Sequence, residues 1–332
     1  MAKNWIRAYE LTAGPAGGEG FSINSLKINF SLSKTEDETC NNITISIWNL
    51  NAEHRAILDQ KDCVVSLRAG YVGNVKDIFT GYVVFAEGEV DGADFVTRLT
   101  IVDGRVQCRD TQISKTYSGT VNSKDMFDNI ASVMGIPIKY ADDVTHFGLT
   151  DYSFCGNATV MLDELCSSGG LSWSIQDGTL EIKKKFGTMN STAYRISAET
   201  GMIGIPKKIR LSSENSVDND AYGYQVSFFL NADIKISDFV YLDSKHVQGY
   251  FRVSELSMSG SNLDGDWTCT ATLLENTTFF QDKMGDTGNY SNKMSRDEFN
   301  NSRVSNRYAT YEDYLAGKPG HWDSDNDVWV YN

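Results

Sequence analysis

Four histidines, His54, His146, His246 and His321, are the side chains best suited to bind zinc or to shuttle protons near neutral pH. They lie in four different segments with no H-x-x-H or H-E-x-x-H spacing, so each is expected at the surface. Six cysteines, Cys40, Cys63, Cys108, Cys155, Cys166 and Cys269, form no C-x-x-C pair and are expected as reduced thiols in strands or the core. Asp323, Asp325 and Asp327 begin like a calcium loop, yet the sixth position is Val328, where the sharp turn needs glycine, and Asn332 precedes any twelfth-position glutamate. Paired acids such as Asp142-Asp143 and Asp163-Glu164 could serve glycoside hydrolysis, but adjacency carries no signal among 44 Asp and Glu residues. Neither a G-x-S-x-G elbow nor a G-x-x-x-x-G-K-S/T loop occurs, and the stretch Gly14–Gly20 is expected to be a mobile loop. The expectation from chemistry alone is no catalytic, cofactor or metal site.

The elements that would position any site belong to an ordinary globular chain of 332 residues, 41% hydrophobic and 22% charged. Its apolar runs, such as Gly81–Ala86 and Val226–Leu230, are too short to cross a bilayer, and the segment Met1-Ala-Lys-Asn-Trp-Ile-Arg7 lacks the apolar stretch of a signal peptide. Folding in a cytoplasm is expected. A formal charge of −14 argues against gripping a nucleic-acid backbone, which takes clustered Lys and Arg. The short basic run Lys183-Lys184-Lys185 is expected to be a solvated strand edge that discourages aggregation.

Residues 1–107 alternate apolar and polar side chains in short runs, as in Leu26-Lys-Ile-Asn-Phe-Ser-Leu32 and Ile43-Thr-Ile-Ser-Ile-Trp48, the period of half-buried strands. One helix is predicted over 52–60 with Asn51 as its N-cap. Residues 108–189 change character. A helix is predicted from Ser123 to just before Gly135, and a second from the Asn157 cap to Gly169-Gly170, with Ala158, Met161, Leu162 and Leu165 on one face. Asp177-Gly178 then predicts a tight hairpin between 171–176 and 179–184. Residues 190–278 return to alternation. There Gly249-Tyr250, followed by Asp264-Gly265 and the strand from Trp267, repeats the arrangement of Gly81-Tyr82, Asp91-Gly92 and the strand from Phe95, which implies two related β domains. The predicted class is mainly β with a small α+β insertion.

Residues 279–332 are polar, with Tyr308, Tyr311, Tyr314, Trp322, Trp329 and Tyr331 scattered through them. A segment so poor in aliphatic residues is expected to be an extended arm that orders on a partner, anchored by Trp322, Trp329 and Tyr331.

Three stretches carry a resemblance: Ile43-Thr-Ile-Ser-Ile-Trp-Asn-Leu-Asn-Ala-Glu-His-Arg55, the segment from Leu67-Arg-Ala-Gly-Tyr-Val-Gly-Asn74 to Ile78-Phe-Thr-Gly-Tyr-Val83, and Thr100-Ile-Val-Asp-Gly104. With Gly156 to Leu180 of the middle segment, they resemble the baseplate hub proteins of contractile-tailed phages and related injection machines. That resemblance implies two tube-type, β-barrel-like domains per chain and a homotrimer forming a pseudo-sixfold ring between a sixfold tail tube and a threefold spike. It implies as partners the tail tube or a tube-initiator protein, the spike protein and other baseplate subunits, with DNA passing through without specific binding. The expected location is the virion, after assembly in the host cytoplasm. The aromatic arm matches nothing in the family pattern. Two other readings are a receptor- or carbohydrate-binding β protein of a tail and a tail-associated cell-wall hydrolase.

Overall fold

The computed structural model describes residues 6–15, 18–36, 41–103, 111–190, 192–211, 221–275, 320–323 and 328–331. The first β region contains β1 (Arg7–Pro15), β2 (Phe21–Ile23), β3 (Ile28–Thr35), β4 (Asn42–Trp48), helix α1 (Ala52–Leu58), β5 (Cys63–Tyr71), β6 (Asn74–Asp91) and β7 (Asp94–Val102). Alternation in sequence becomes alternation in burial: along β3, Ile28, Phe30 and Leu32 are buried while Asn29, Ser31 and Ser33 are exposed. Helix α1 starts where Asn51 accepts the backbone N–H of His54. The glycine-rich stretch is not simply a loop, because Gly14 lies in β1 opposite Val64, and a Cβ on it would meet Gly20 Cα at 2.8 Å.

The middle region contains β8 (Gln112–Asn122), α2 (Ser123–Met134), β9 (Ile138–Tyr140), β10 (Gly148–Asn157), α3 (Ala158–Gly169), β11 (Leu171–Gln176) and β12 (Thr179–Lys184). Both helices open on an asparagine, Asn122 or Asn157, and both close on a glycine in the left-handed region, Gly135 at φ 70° and Gly170 at φ 63°. Asp177 (φ 51°) and Gly178 (φ 76°) make the two-residue turn between β11 and β12. Phe127, Ile130, Leu162, Leu165, Trp173 and Ile182 form a core of this region's own.

The second β region contains β13 (Ala193–Ser197), a 3₁₀ turn (Ala198–Thr200), β14 (Met202–Leu211), β15 (Ala221–Phe229), β16 (Phe239–Asp243), β17 (Gln248–Ser261) and β18 (Trp267–Glu275). Pairing of β17 with β3 joins both β regions into one 13-stranded sheet. Ile43, Ile45, Ile47, Leu99 and Ile101 of the first region share one core with Leu256, Met258, Ala271 and Leu273 of the second.

The two regions repeat one another in topology. The first runs β3-β4-β7-β6-β5-β1 across the sheet, and the second runs β14-β15-β18-β17-β16-β13. Corresponding strands also follow the same order along the chain. One pair departs: β1 lies antiparallel to β5, whereas β13 lies parallel to β16. The matched hairpins β6–β7 and β17–β18 are both bulged on their first strand, at Val84 between Val83/Phe85 and at Ser254 between Val253/Glu255. Both Asp-Gly pairs fall at the tips. Aligning the bulges places Gly81 against Phe251, so the Gly-Tyr dipeptides themselves stand two residues out of register.

Residues 278–332 form a separate unit, in which β19 (Gly320–Asp323) pairs antiparallel with β20 (Val328–Tyr331).

Candidate assembly surfaces

A polar seam fastens the β11–β12 hairpin to the large sheet. Asn41, just before β4, accepts the Thr35 backbone N–H at 2.9 Å and donates its own backbone N–H to Asp103 Oδ1 at 2.7 Å. Its amide also donates to Asp103 Oδ2 at 3.2 Å and to Gln176 Oε1 at 3.0 Å, while Gln176 Nε2 donates to the Thr35 carbonyl at 3.0 Å. Burial pushes the Asp103 carboxyl up to about 6, against the opposing pull of the Asn41 hydrogen bonds and of Lys34. At the hairpin tip the left-handed backbone aims Asp177 at Lys34 Nζ, 2.5 Å away, with Lys235 Nζ at 3.6 Å.

A second group lies behind it. Glu36 accepts from Lys183 Nζ at 2.8 Å and also pairs with Arg252, and both cations are buried. Lys183 is therefore not the solvated edge residue expected from the basic run. In a strand, alternate side chains face opposite sides, and the side of β12 carrying Lys183 is covered by the large sheet. Burial lowers the Lys183 ammonium, and Glu36 works against that shift.

Between hairpin and sheet lies an open cavity of about 530 Å³, lined by Lys34, Arg68, Lys139, Asp177, Glu181 and Lys235 among others. Burial lifts the Glu181 carboxyl to about 7, with Lys139 and Lys235 opposing the rise. No Ser, Cys or His lines this cleft among the described residues.

The two β regions meet along the β3–β17 ladder, and side chains close its end. Asn262 Oδ1 accepts the Ile28 backbone N–H at 2.9 Å and its amide donates to the Leu26 carbonyl at 3.0 Å. Trp267 Nε1 donates to the Gly70 carbonyl at 3.1 Å, and the Arg7 guanidinium donates to the Ser261 and Gly265 carbonyls.

The histidines stay apart from these seams. His54 stacks on Phe21 with 4.1 Å between ring centroids, and His146 meets Tyr140 edge-on at 5.0 Å. His246 is exposed, and His321 belongs to β19. Cys63, Cys166 and Cys269 are buried and Cys155 is exposed, while Cys40 and Cys108 lie outside the described residues. Among the described residues no three His, Cys, Asp or Glu side chains gather as a metal-binding group, and no helix is long and apolar enough to cross a membrane.

Trp322 and Trp329 sit directly opposite one another in the β19–β20 ladder, with Gly320 opposite Tyr331. Among the described residues the segment expected to be extended thus holds a hairpin of its own. Tyr308, Tyr311 and Tyr314 lie outside the described residues. The Asn41–Asp103–Gln176 seam escaped sequence reasoning because its partners stand 62 and 135 residues apart and share no motif.

Solved structures with this architecture include the 43 kDa tail protein of prophage MuSo2 from Shewanella oneidensis, with TM-score 0.58, 10% identity, and coverage of 81% of this chain and 98% of that one. The tail protein from Neisseria meningitidis MC58 matches with TM-score 0.58, 11% identity and coverage of 80% and 96%. The E. coli c3393 protein, a component of the type VI secretion system with structural similarity to T4 bacteriophage tail proteins gp27 and gp5, matches with TM-score 0.51, 9% identity and coverage of 74% and 73%. At such identities the likeness is one of fold. No curated protein sequence matches this chain. The profile of one family, described as Baseplate hub gp41, matches residues 16–272. A match over that much of the sequence shows that the chain belongs to the Baseplate hub gp41 family, and its role is structural, in a phage tail baseplate.

Proposed function

We propose that three copies of this chain form a pseudo-sixfold ring that adapts the sixfold tail tube to a threefold spike and forms part of the DNA channel. The observation that carries this reading is the repeat: β3-β4-β7-β6-β5-β1 and β14-β15-β18-β17-β16-β13 are two copies of one strand order in a single chain. Two similar units per subunit let a threefold object present six similar surfaces to a sixfold tube. The net charge of −14 suits a channel through which DNA slides without sticking.

In this reading residues 1–107 and 190–278 are the tube-type domains and 108–189 the small α+β domain. Residues 279–332 are an arm whose Trp322, Trp329 and Tyr331 anchor a partner. The partners are the tail tube or its initiator, the spike and other baseplate subunits, and assembly takes place in the host cytoplasm. The chain itself catalyses nothing.

Imaging of assembled particles carrying a tagged chain tests the reading. Three copies on the tail axis between tube and spike are expected. A peripheral position would sink the hub and favour a receptor-binding role, and clearing of a purified peptidoglycan suspension by the chain alone would sink the non-enzyme reading.

A further inference from the structure

The two repeats differ in what covers them. In the second, β17 gives one edge to β18 and shares the other: Gln248–Arg252 pair with β16, and Glu255–Ser261 pair with β3. In the first, β6 gives one edge to β7 and the first part of the other to β5, through Asn74–Tyr82. The remaining stretch of that edge, Val83–Asp91, meets no strand among the described residues. On the same terms β14, the counterpart of β3, pairs only with β15. The chain thus makes the ladder between repeats once and leaves open one copy of each of its two halves.

We infer that Phe85–Asp91 of β6 pairs antiparallel with Ile205–Leu211 of β14 in a second copy of this chain, repeating the β17–β3 ladder between subunits. This rests on the ring reading above and names the contact that would close the ring. The register follows from the repeat. Glu255 corresponds to Phe85 through the bulges, and Ser31 and Leu32 correspond to Lys207 and Lys208 through their partners in β4 and β15. Since Ser259 faces Ser31 and Met258 faces Leu32, Glu89 should face Lys207 and Gly88 should face Lys208. Glu87 then faces Ile209, and Ala86 faces Arg210.

Two observations independent of the repeat agree. The first is charge: the face of β6 that carries Asp91 and the two glutamates Glu87 and Glu89, which share Arg98 of β7, meets in this register the face of β14 that carries Lys207, while Lys208 and Arg210 fall on the other face opposite Gly88 and Ala86. The second is exposure: Phe85 (58%) and Val90 (73%) on one stretch and Ile205 (72%) on the other lie open, a state that natural edge strands avoid unless something covers them. Each chain offers one edge of each kind, so the contact is head-to-tail and a closed ring leaves none over.

The test uses the full chain with Cys155→Ser as background. Glu89→Cys with Lys207→Cys should give intermolecular disulfides running up to the trimer on a non-reducing gel. Glu89→Cys with Lys208→Cys, one residue out of register and on the other face, should not. Glu89→Lys or Lys207→Glu alone should weaken trimer formation at least about tenfold while circular dichroism stays native, and the two together should restore it. A wild-type trimer that resists both reversals and gives no Glu89→Cys/Lys207→Cys bridge overturns the edge pairing while leaving a ring built through another surface. Equal bridging of the shifted pair overturns the register. A chain that stays monomeric at every concentration and forms no bridge overturns the pairing too, and the hub reading is decided apart from all of these by the position of the chain in the particle.

Discussion

Val84 and Ser254 occupy the same place in two hairpins: each is the extra residue of a bulge on the first strand, opposite consecutive residues of the second, Thr100 and Ile101 in one case and Thr272 and Leu273 in the other. A bulge bends its strand and sharpens the local twist. In β17 the bend falls where the strand leaves β16 and takes up β3.

Deleting either bulge residue slips the rest of its strand by one position, and the outcomes should differ. Loss of Ser254 turns the buried Leu256 and Met258 to the opposite face, at roughly 2 kcal/mol each. The body should melt about 10 °C lower. Loss of Val84 moves only residues that are exposed or half-buried, so melting should stay within a few degrees while ring formation fails. Equal melting of the two deletions would show that the bulges do not play matching parts.

Glu36 holds two buried cations, so its replacement should cost more than that of either one. Glu36→Gln leaves Lys183 and Arg252 buried side by side without their carboxylate, a loss of about 3–5 kcal/mol in denaturant unfolding. Lys183→Met removes a charge but keeps the Glu36–Arg252 pair and fills similar space, so stability should change by less than about 1 kcal/mol. A larger loss from Lys183→Met than from Glu36→Gln would contradict this assignment.

Glu181 gives the protein a distinctive pH response. Its folded carboxyl titrates near 7 because burial disfavours the charge, whereas an unfolded glutamate titrates near 4.5. Between those values the folded state holds the extra proton, so this group's contribution is full below about 4.5 and is lost as pH rises through about 7. Glu181→Gln should therefore stabilise the protein more at pH 8 than at pH 5, read as the difference in melting temperature between variant and wild type. A difference that does not change with pH would refute the assignment.

Truncation at Gln281 should leave the body of residues 1–277 folded, since both hydrophobic cores lie within it. Its melting temperature should be unchanged within a few degrees, while co-purification with spike and tube partners falls. Normal co-purification would end the docking role of Trp322, Trp329 and Tyr331, and an unfolded body would place the segment in the core.

Features decided by near neighbours were readable from the chain alone. Asn51 and Asn157, the two predicted caps, start their helices because a side-chain oxygen reaches a backbone N–H two or three residues on. Asp177-Gly178 makes the predicted hairpin because both residues accept positive φ. The alternation through Ile43, Ile45 and Ile47 placed one face of β4 in the core, and all three are fully buried. The pairing of two Asp-Gly hairpins also pointed to a repeat, although the Gly-Tyr dipeptides that suggested it are two positions out of register.

Tertiary structure alone decided which strands lie side by side, that Lys183 is buried against Glu36, and that Asn41 ties Asp103 to Gln176. It also showed that β17 joins the repeats through β3 while β6 and β14 keep their matching edges open among the described residues. A strand's own residues set which way its side chains alternate. Its neighbour is set by backbone hydrogen bonds common to every residue type, and by packing with segments more than two hundred positions away, as between Phe30 and Gly260.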